Sequence, residues 1–597
     1  MKKIFTFLFL SLFCFLAGNA IEILDVEPGE GTLNAAIKQY KGDRIYRLQD
    51  GYNGYYSLTE IIDNTGFDLT IIGGGVPDVD DPRPDMPPTV QTNGVNGVPF
   101  NFMFNVYSDI TLKGIYFVNA TVDGVFNTEF FMGIQGNDVV VTIDNCILDP
   151  SGNPFYVMGN SPKIYVTNSL FNRLTTQTTS VNGPVNCYFP NKTHGPEVLF
   201  FENNTFIGLS TAVFSDNCES VRSGMTWFNH NTFIHHKCQF DWMSNQEEFY
   251  FVNNLFYDCQ VVPTEVPDKP YDNSQMQWTN YPIGAVPEFL LSAPDTKVQD
   301  KGVDIDWGYD KMTSFVAYNL DFKNESFINN LNELNQWLIE KGTGKQMYYM
   351  PFVWDEKAPA RGIDLNFALE RNPQYKIYNS IQYPKWKHVG SAYDINPQFV
   401  DPRIAEKSEI LAQWALPATK NDYYKSYYDG DTEFTKLDWY WDPDGEMGKN
   451  EAWPLFDGSY TNKEAQTYGI DGLPVGDLNW FPDQKAVWEA NKDRIESHIK
   501  GLNTDRLDLS SVETINAVSC KVFPNPVVSQ VFFSLNDPIT NGGKLELFNM
   551  VGELMMERDL NEGDRNLSLD VSNLMAGIYL YRVSSSGTAI MGRFVKK

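Results

Sequence analysis

One short phrase recurs along the middle of this chain, and its recurrence restricts the fold more than any other feature. DITLKGIYF (109–117), VTIDNCIL (141–148), IYVTNSLF (164–171), LFFENNTFI (199–207), TWFNHNTFI (226–234) and FYFVNNLFY (249–257) each join strand-forming residues, a pivot and a second apolar run. Aligned on Gly114, Asn145, Asn168, Asn204, Asn231 and Asn254, the pivots stand 31, 23, 36, 27 and 23 residues apart. A constant phrase with variable spacers marks a solenoid whose insertions fall in loops.

The residues of the phrase decide which solenoid. They are β-branched or aromatic and too few per unit for a helix, so each unit supplies short strands, and helical-pair or leucine-rich repeats are excluded. Asn tolerates the left-handed backbone region and bonds neighbouring main chain. Stacked coil on coil, the amides of Asn145, Asn168, Asn204, Asn231 and Asn254 are expected to line up as a ladder that satisfies buried polar groups above and below. An antiparallel sandwich would need hairpin turns between the strands, and returns of more than 20 residues argue against it. The pattern resembles the right-handed parallel β-helices of the pectin-lyase-like superfamily, most clearly over about 22–400. The expected class is all-β: a right-handed parallel β-helix with long insertions, followed by a small C-terminal antiparallel β-sandwich.

Export is written at the start. Lys2 and Lys3 precede an apolar run, Ile4 to Leu16, and then Ala17-Gly18-Asn19-Ala20, so residues 1–20 read as a secretory signal peptide. Phe13 before Cys14 does not suit a lipid-anchor site, and no later apolar run is long enough for a transmembrane span. A net charge of −30 disfavours nucleic acid, which needs a basic footprint, and disfavours acidic glycans unless calcium bridges the two sets of carboxylates. No motif requires a cofactor, and Ca2+ is the one ion the acidic surface suggests. Of the six cysteines beyond the signal, none forms a Cys-x-x-Cys pair, so zinc held by thiolates is not expected. Cys238 and Cys259 are either neighbours in a disulfide or buried thiols.

Residues 21–405 are assigned to the β-helix and 406–502 to an aromatic and acidic flanking segment with a terminal helix. Within the first, 31–48 reads as a short amphipathic helix (Leu33, Ala36, Ile37 and Tyr40 on one face) and then a strand. VAYNLDF (316–322) and IYNSIQY (377–383) repeat the phrase on Asn319 and Asn379, and NPQFVDP (396–402) reads as the last coil. In the flanking segment Trp439, Tyr440 and Trp441 are adjacent, followed by Asp442, Asp444 and Glu446. Flat rings beside carboxylates suit a carbohydrate surface, and they equally suit packing of the insertions. DPDG (442–445) lacks the ligand spacing of an EF-hand. The stretch 484–502 reads as a helix, with Trp488, Ile495, Ile499 and Leu502 on one stripe, docked against the end of the solenoid.

A polar linker (503–518) leads to residues 519–597, where the text changes to alternating strands separated by tight turns. Pro524-Asn525-Pro526, Leu574 with Gly577-Ile578-Tyr579, and the terminal Phe594-Val595-Lys596-Lys597 closely resemble the type IX secretion C-terminal sorting domain. That resemblance implies passage through the type IX machinery. It also implies secretion, or attachment to the outer-membrane surface of a Gram-negative bacterium.

Proton abstraction from a uronate needs a base near its target and a positive group for the developing charge. The clustered Arg and Asp signatures of pectate lyases, and the paired aspartates of β-helix hydrolases, are missing. What remains is a loose basic group: Lys192, His194, Arg222, His235, His236 and Lys237, with Asp241 beside it, in return loops that coil stacking brings to one face. Two readings follow. The first is an exported β-helix that binds polysaccharide, in the manner of a glycan-binding protein or adhesin. The second is a polysaccharide lyase or hydrolase using the basic group.

Overall fold

The computed structural model describes residues 21–93, 100–121, 130–149, 153–174, 185–187, 193–208, 221–236, 245–259, 261, 263–265, 295–344, 346–349, 376–428, 455, 457–509, 520–523, 526–535, 538–539, 542–548, 554–574, 577–585 and 588–597. It separates into two compact units, 1–507 and 508–597.

The repeated phrase forms the rungs of a parallel β-helix. Its first apolar half lies in an 11-stranded sheet and its second half in a 10-stranded sheet, and a five-stranded third sheet is built from the return segments. Neighbouring strands in all three are parallel and one coil apart, as in Ile143↔Val166, Val166↔Phe201, Phe201↔Phe228 and Phe228↔Phe251. Alternation along each strand sends one set of side chains inward. Because the register is constant, identical residues then fall on one another. Phe171, Phe206, Phe233 and Phe256 stack at 4.7–5.0 Å between ring centres, and Phe201 stands 5.1 Å from Phe228. The interior is therefore two aromatic columns that knit successive coils, each ring pair adding roughly 0.5–1.5 kcal/mol beyond its buried area.

The bend between the first and second sheets explains the Asn-rich pivot and corrects its alignment. Two positions matter there. The first is left-handed, with φ of 64° at Gly114, 53° at Asn145, 55° at Asn168, 55° at Asn203, 53° at His230, 57° at Asn253 and 52° at Tyr318. The second, one residue on, points inward and carries the ladder. Asn204 Nδ2 donates to Asn231 Oδ1, Asn231 Nδ2 to Asn254 Oδ1 and Asn254 Nδ2 to Asn319 Oδ1, each at 3.0 Å. Ser169 N–H donates to Asn204 Oδ1 and Cys146 N–H to Ser169 Oγ. Asn204, Asn231 and Asn254 thus form the expected ladder, which Asn319 extends. Asn145 and Asn168 fall one residue out of register, in the outer, left-handed position. An Asn serves either role, one through its tolerance of positive φ and the other through its amide, so sequence alone does not tell them apart.

Gly73, in the same corner, is required by close approach: a Cβ there would stand 2.2 Å from the carbonyl oxygen of Gly114 on the next coil. Gly73→Ala is expected to lower the unfolding free energy by about 1–3 kcal/mol, measured by denaturant titration.

Two phrases at the end of the series do not form rungs. The last strand of the first sheet is Trp386–Val389, and Asn379 instead bonds that strand's backbone, its Nδ2 donating to His388 O. NPQFVDP contributes Phe399 to packing against Tyr257. The early helix spans Thr32–Tyr40 with Leu33 and Ile37 buried. A long helix, Pro402–Tyr428, lies over the corner that follows the second sheet, where Ser408 Oγ meets both His235 Nε2 (2.7 Å) and Asp258 Oδ2 (2.8 Å). The helix Pro482–Lys500 buries Trp488, Ile495 and Ile499. It docks on the flank of the solenoid rather than its end: Lys485 Nζ bonds Asn168 Oδ1 (2.8 Å) and Lys492 Nζ bonds Glu202 Oε2 (2.6 Å).

The C-terminal unit holds two antiparallel sheets of three and four strands around a shared apolar core. Its terminal strand, Thr588–Lys596, pairs with Gly577–Ser585 so that Gly577 faces Lys596 and Tyr579 faces Phe594. Val527, next to exposed Pro526, bridges to Lys596 as well. The motif residues Pro526, Gly577, Tyr579 and Lys596 therefore meet around one strand, while Pro524 and Asn525 lie outside the described residues.

Candidate functional site

The outer row of the first corner is covered along most of its length by residues 465–502. His230 is fully buried, its Nε2 2.7 Å from Asp471 Oδ2 and its Nδ1 3.2 Å from Gly476 O. Asn253 Oδ1 accepts from Ile470 N, and Asn479 Nδ2 donates to Asn203 O. Thr205 Oγ1 donates to Asp477 Oδ2 at 2.8 Å. Every coil from Asn203 to Asn253 is tied in this way, because its outer-row residue or the strand beside it offers a polar group to the covering segment.

Toward the N-terminal coils the cover stops, and the same corner opens into a groove of about 750 Å³. Gly73, Gly74 and Gly114 contribute backbone alone to its floor, followed by Asn145 and Asn168. Gly74 and Gly114 adopt φ of 93° and 64°, and a Cβ on Gly74 would meet nothing within 4 Å. Ile147, Leu170, Leu455 and Pro87 give the groove an apolar side, and Asp477, Asn479 and Trp480 stand where the cover begins. Trp480 is held by its Nε1 donating to Thr205 Oγ1 (2.9 Å).

The charges are mostly negative. Asp50, Asp85 and Asp477 face the groove against Lys113, which is paired with Asp144 at 2.7 Å. Burial raises the Asp50 carboxyl, although it accepts the Gly74 N–H. Burial pushes Asp477 up to about 7, against hydrogen bonds from Asn479 and Thr205. For Asp144 burial also works upward, but bonds from Lys113, Asn168 and Thr167 outweigh it and hold the group below the usual carboxylate range. The groove can offer acceptors to hydroxyl groups and an apolar side to a ring face.

Of the basic residues singled out from sequence, the four that are described do not share one face. His194 and Arg222 precede strands of the first sheet; there Arg222 bonds Asp300 Oδ2 (2.9 Å) and also pairs with Glu247. His235 and His236 follow a strand of the second sheet, at a different corner, and both are buried. Burial drives both imidazoles down to about 3; the charges of Lys407, His236 and Lys323 add to this at His235. His235 bonds Ser408 of the long helix, His236 faces Phe206 O in the coil interior, and neither ring is exposed. Lys192, Lys237, Asp241, the Trp439-Tyr440-Trp441 run and DPDG lie outside the described residues. The groove itself escaped sequence reading. Its only signal was the Gly73-Gly74 and Gly114 run in pivot positions elsewhere held by side chains. Among the described residues no group of three or more His, Cys, Asp or Glu side chains could hold a metal ion, and no helix is long and apolar enough to cross a membrane.

Residues 521–597 match the family described as the Secretion system C-terminal sorting domain. No curated protein sequence matches the chain. Among solved structures the chain is similar to one titled as a PL6 family alginate lyase, AlyGC. That similarity has 15% identity over 39% of this chain and 36% of the lyase's own length, with a TM-score of 0.23. The coil architecture and the C-terminal match together identify the chain as a parallel β-helix protein carrying a secretion C-terminal sorting domain, which places it outside the cell or on the outer-membrane surface of a Gram-negative bacterium.

Proposed function

We propose that this exported β-helix binds a neutral polysaccharide in the groove along its first corner. The observation that carries the reading is the run of coils from Gly73 to Asn145 that the covering segment leaves open, up to Asn168, where Lys485 begins to cover the corner. It combines a bare backbone floor, amide and carboxylate acceptors, an apolar side and an indole at one end. Binding sites for small polar ligands pair an apolar lining with a few placed polar groups in this way, and aromatic rings suit the apolar faces of sugars. Asp50 and Asp85, against a Lys113 already paired with Asp144, favour a ligand without charge over a uronate. The acidic chain as a whole acts in the same sense.

Asn145 is exposed in the groove and free of the ladder, so it can be changed without disturbing the coil interior. Asn145→Trp, which fills the groove, is expected to weaken retention on neutral glycans such as β-glucan, mannan or xylan by at least about tenfold, while the left-handed backbone at this position (φ 53°) costs the variant about 1–2 kcal/mol of stability and leaves the coil folded. Asn145→Ala should weaken it by a smaller factor. Affinity electrophoresis on neutral and uronate polymers checks this, with absorbance of unsaturated ends recorded in parallel. Retention on uronates alone, or a wild-type response from Asn145→Trp, counts against the groove. New unsaturated ends would favour the lyase reading instead.

A further inference from the structure

The groove is stopped at both ends. Residues 76–88, between the strands Leu69–Gly75 and Thr89–Thr92, fold back on the corner of the preceding coil. There Asp81 Oδ1 accepts from Tyr52 N (3.0 Å), Asp81 Oδ2 accepts from Asn53 N (2.8 Å), and Gly51 N donates to Met86 O (2.7 Å). Gly51, with φ of 97°, admits this approach, since a Cβ there would stand 2.4 Å from Asp81 Oδ2. Asp85 and Pro87 of the same segment face the groove. At the other end Lys485 reaches Asn168 Oδ1, while Asn479 and Trp480 are tied to the next coil at Asn203 O and Thr205 Oγ1.

Between the two stops, among the described residues, the corners at Gly73, Gly114 and Asn145 lie open. Neighbouring coils are about 4.8 Å apart, so this floor is roughly 14 Å long and, at close to one coil per pyranose ring, holds about three rings of an extended glycan. The two ends differ in chemistry. Asp50 stands at the foot of the first stop; its Oδ1 accepts from Gly74 N at 2.7 Å, and its Oδ2 accepts no hydrogen bond among the described residues. A fixed carboxylate oxygen with nothing on it takes charge-assisted bonds from hydroxyl groups. The terminal ring of a glycan offers it the most, because it carries a hydroxyl where an internal ring carries the next linkage. At the far end stands the half-buried indole of Trp480, fixed through its Nε1, which suits the face of a ring within the chain.

On the reading that this groove is the binding site, we propose that it recognises chain ends. The free end of a neutral polysaccharide, whether of the backbone or of a side branch, enters past Trp480, lies along Asn145 and Gly114, and places its terminal hydroxyls on Asp50. The stop formed by residues 76–88 excludes the interior of a chain laid along the corner.

The test titrates the full chain by calorimetry with gluco-, manno- and xylo-oligosaccharides of increasing length. Affinity is expected to rise at least about tenfold from two units to four, and by less than about twofold from four to six. Asp50→Asn keeps an acceptor for the Gly74 N–H and should bind the tetrasaccharide at least about tenfold more weakly. Partial hydrolysis of the matching polymer at constant sugar mass should raise its binding capacity in proportion to the ends created. Affinity that climbs steadily through six units, capacity that follows mass, or wild-type affinity in Asp50→Asn overturns end recognition. If that binding is still weakened by Asn145→Trp, the groove stands as the site and only the recognition of ends falls. If Asn145→Trp binds as wild type does, or no oligosaccharide binds, both fall.

Discussion

Asn231→Ala is expected to lower the stability of the 1–507 unit by about 3–6 kcal/mol, whereas Asn145→Ala lowers it by only about 1 kcal/mol. The two residues came from the same repeated phrase, so the contrast tests the ladder directly. Asn231 Oδ1 accepts from the backbone N–H of Asn204 (3.2 Å) and from its side-chain amide, while Asn231 Nδ2 donates to Phe201 O and to Asn254 Oδ1. Removing the amide strands the Asn204 N–H and its neighbours in a fully buried corner. Each unsatisfied group there costs about 1–3 kcal/mol. Asn145 is exposed, and alanine there forfeits mainly the tolerance of positive φ. Denaturant midpoints of the two variants against wild type check the contrast. Equal losses at both positions would show that the ladder is not what holds the corner.

The second large effect is on the response to acid. His235 and His236 hold pKa values near 3 in the folded chain against 6.5 in an unfolded one, mainly because both rings are buried. As pH falls below 6.5 the unfolded chain takes up two protons that the folded chain refuses. Stability is then lost at about 1.4 kcal/mol per residue per pH unit, down to about pH 3. At pH 4.5 the pair costs about 5 kcal/mol relative to neutral pH. Asp477 works the other way. Its folded pKa near 7 lets the folded chain bind a proton that an unfolded carboxylate gains only near 3.8, so it partly masks the slope of the whole protein. The clean measurement is therefore a difference between chains. Relative to wild type, His236→Gln should gain about 1.4 kcal/mol for each pH unit between 6.5 and 4, with its amide replacing the ring's contact to Phe206 O. A difference that does not change with pH would mean the imidazole is already protonated in the fold.

The coil was legible because its physics is local. β-Branched and aromatic runs of four or five residues specify strands, and a bend residue that accepts positive φ specifies the corner. Repetition then brings like residues into columns, as with Phe206, Phe233 and Phe256. The sorting module was legible for the same reason, its motif residues lying on paired strands as Gly577 does with Lys596. The offset at Asn145 and Asn168 arose because neighbouring positions in one bend favour the same residue type for different reasons. Asn379 went astray because a phrase outside the stack has no coil below to set its register.

What the groove depends on was not local at all. Asp477, Asn479 and Trp480 come from a segment some 270 residues beyond Asn203 and Thr205, the corner residues they meet. No periodicity in the sequence marks where that segment stops covering the coils. The sequence alone determined that this chain would wind into stacked strands and be exported. Tertiary structure decided which coils stay open to a ligand and which charged residues are sealed under a helix, because those outcomes rest on contacts between segments with no shared pattern.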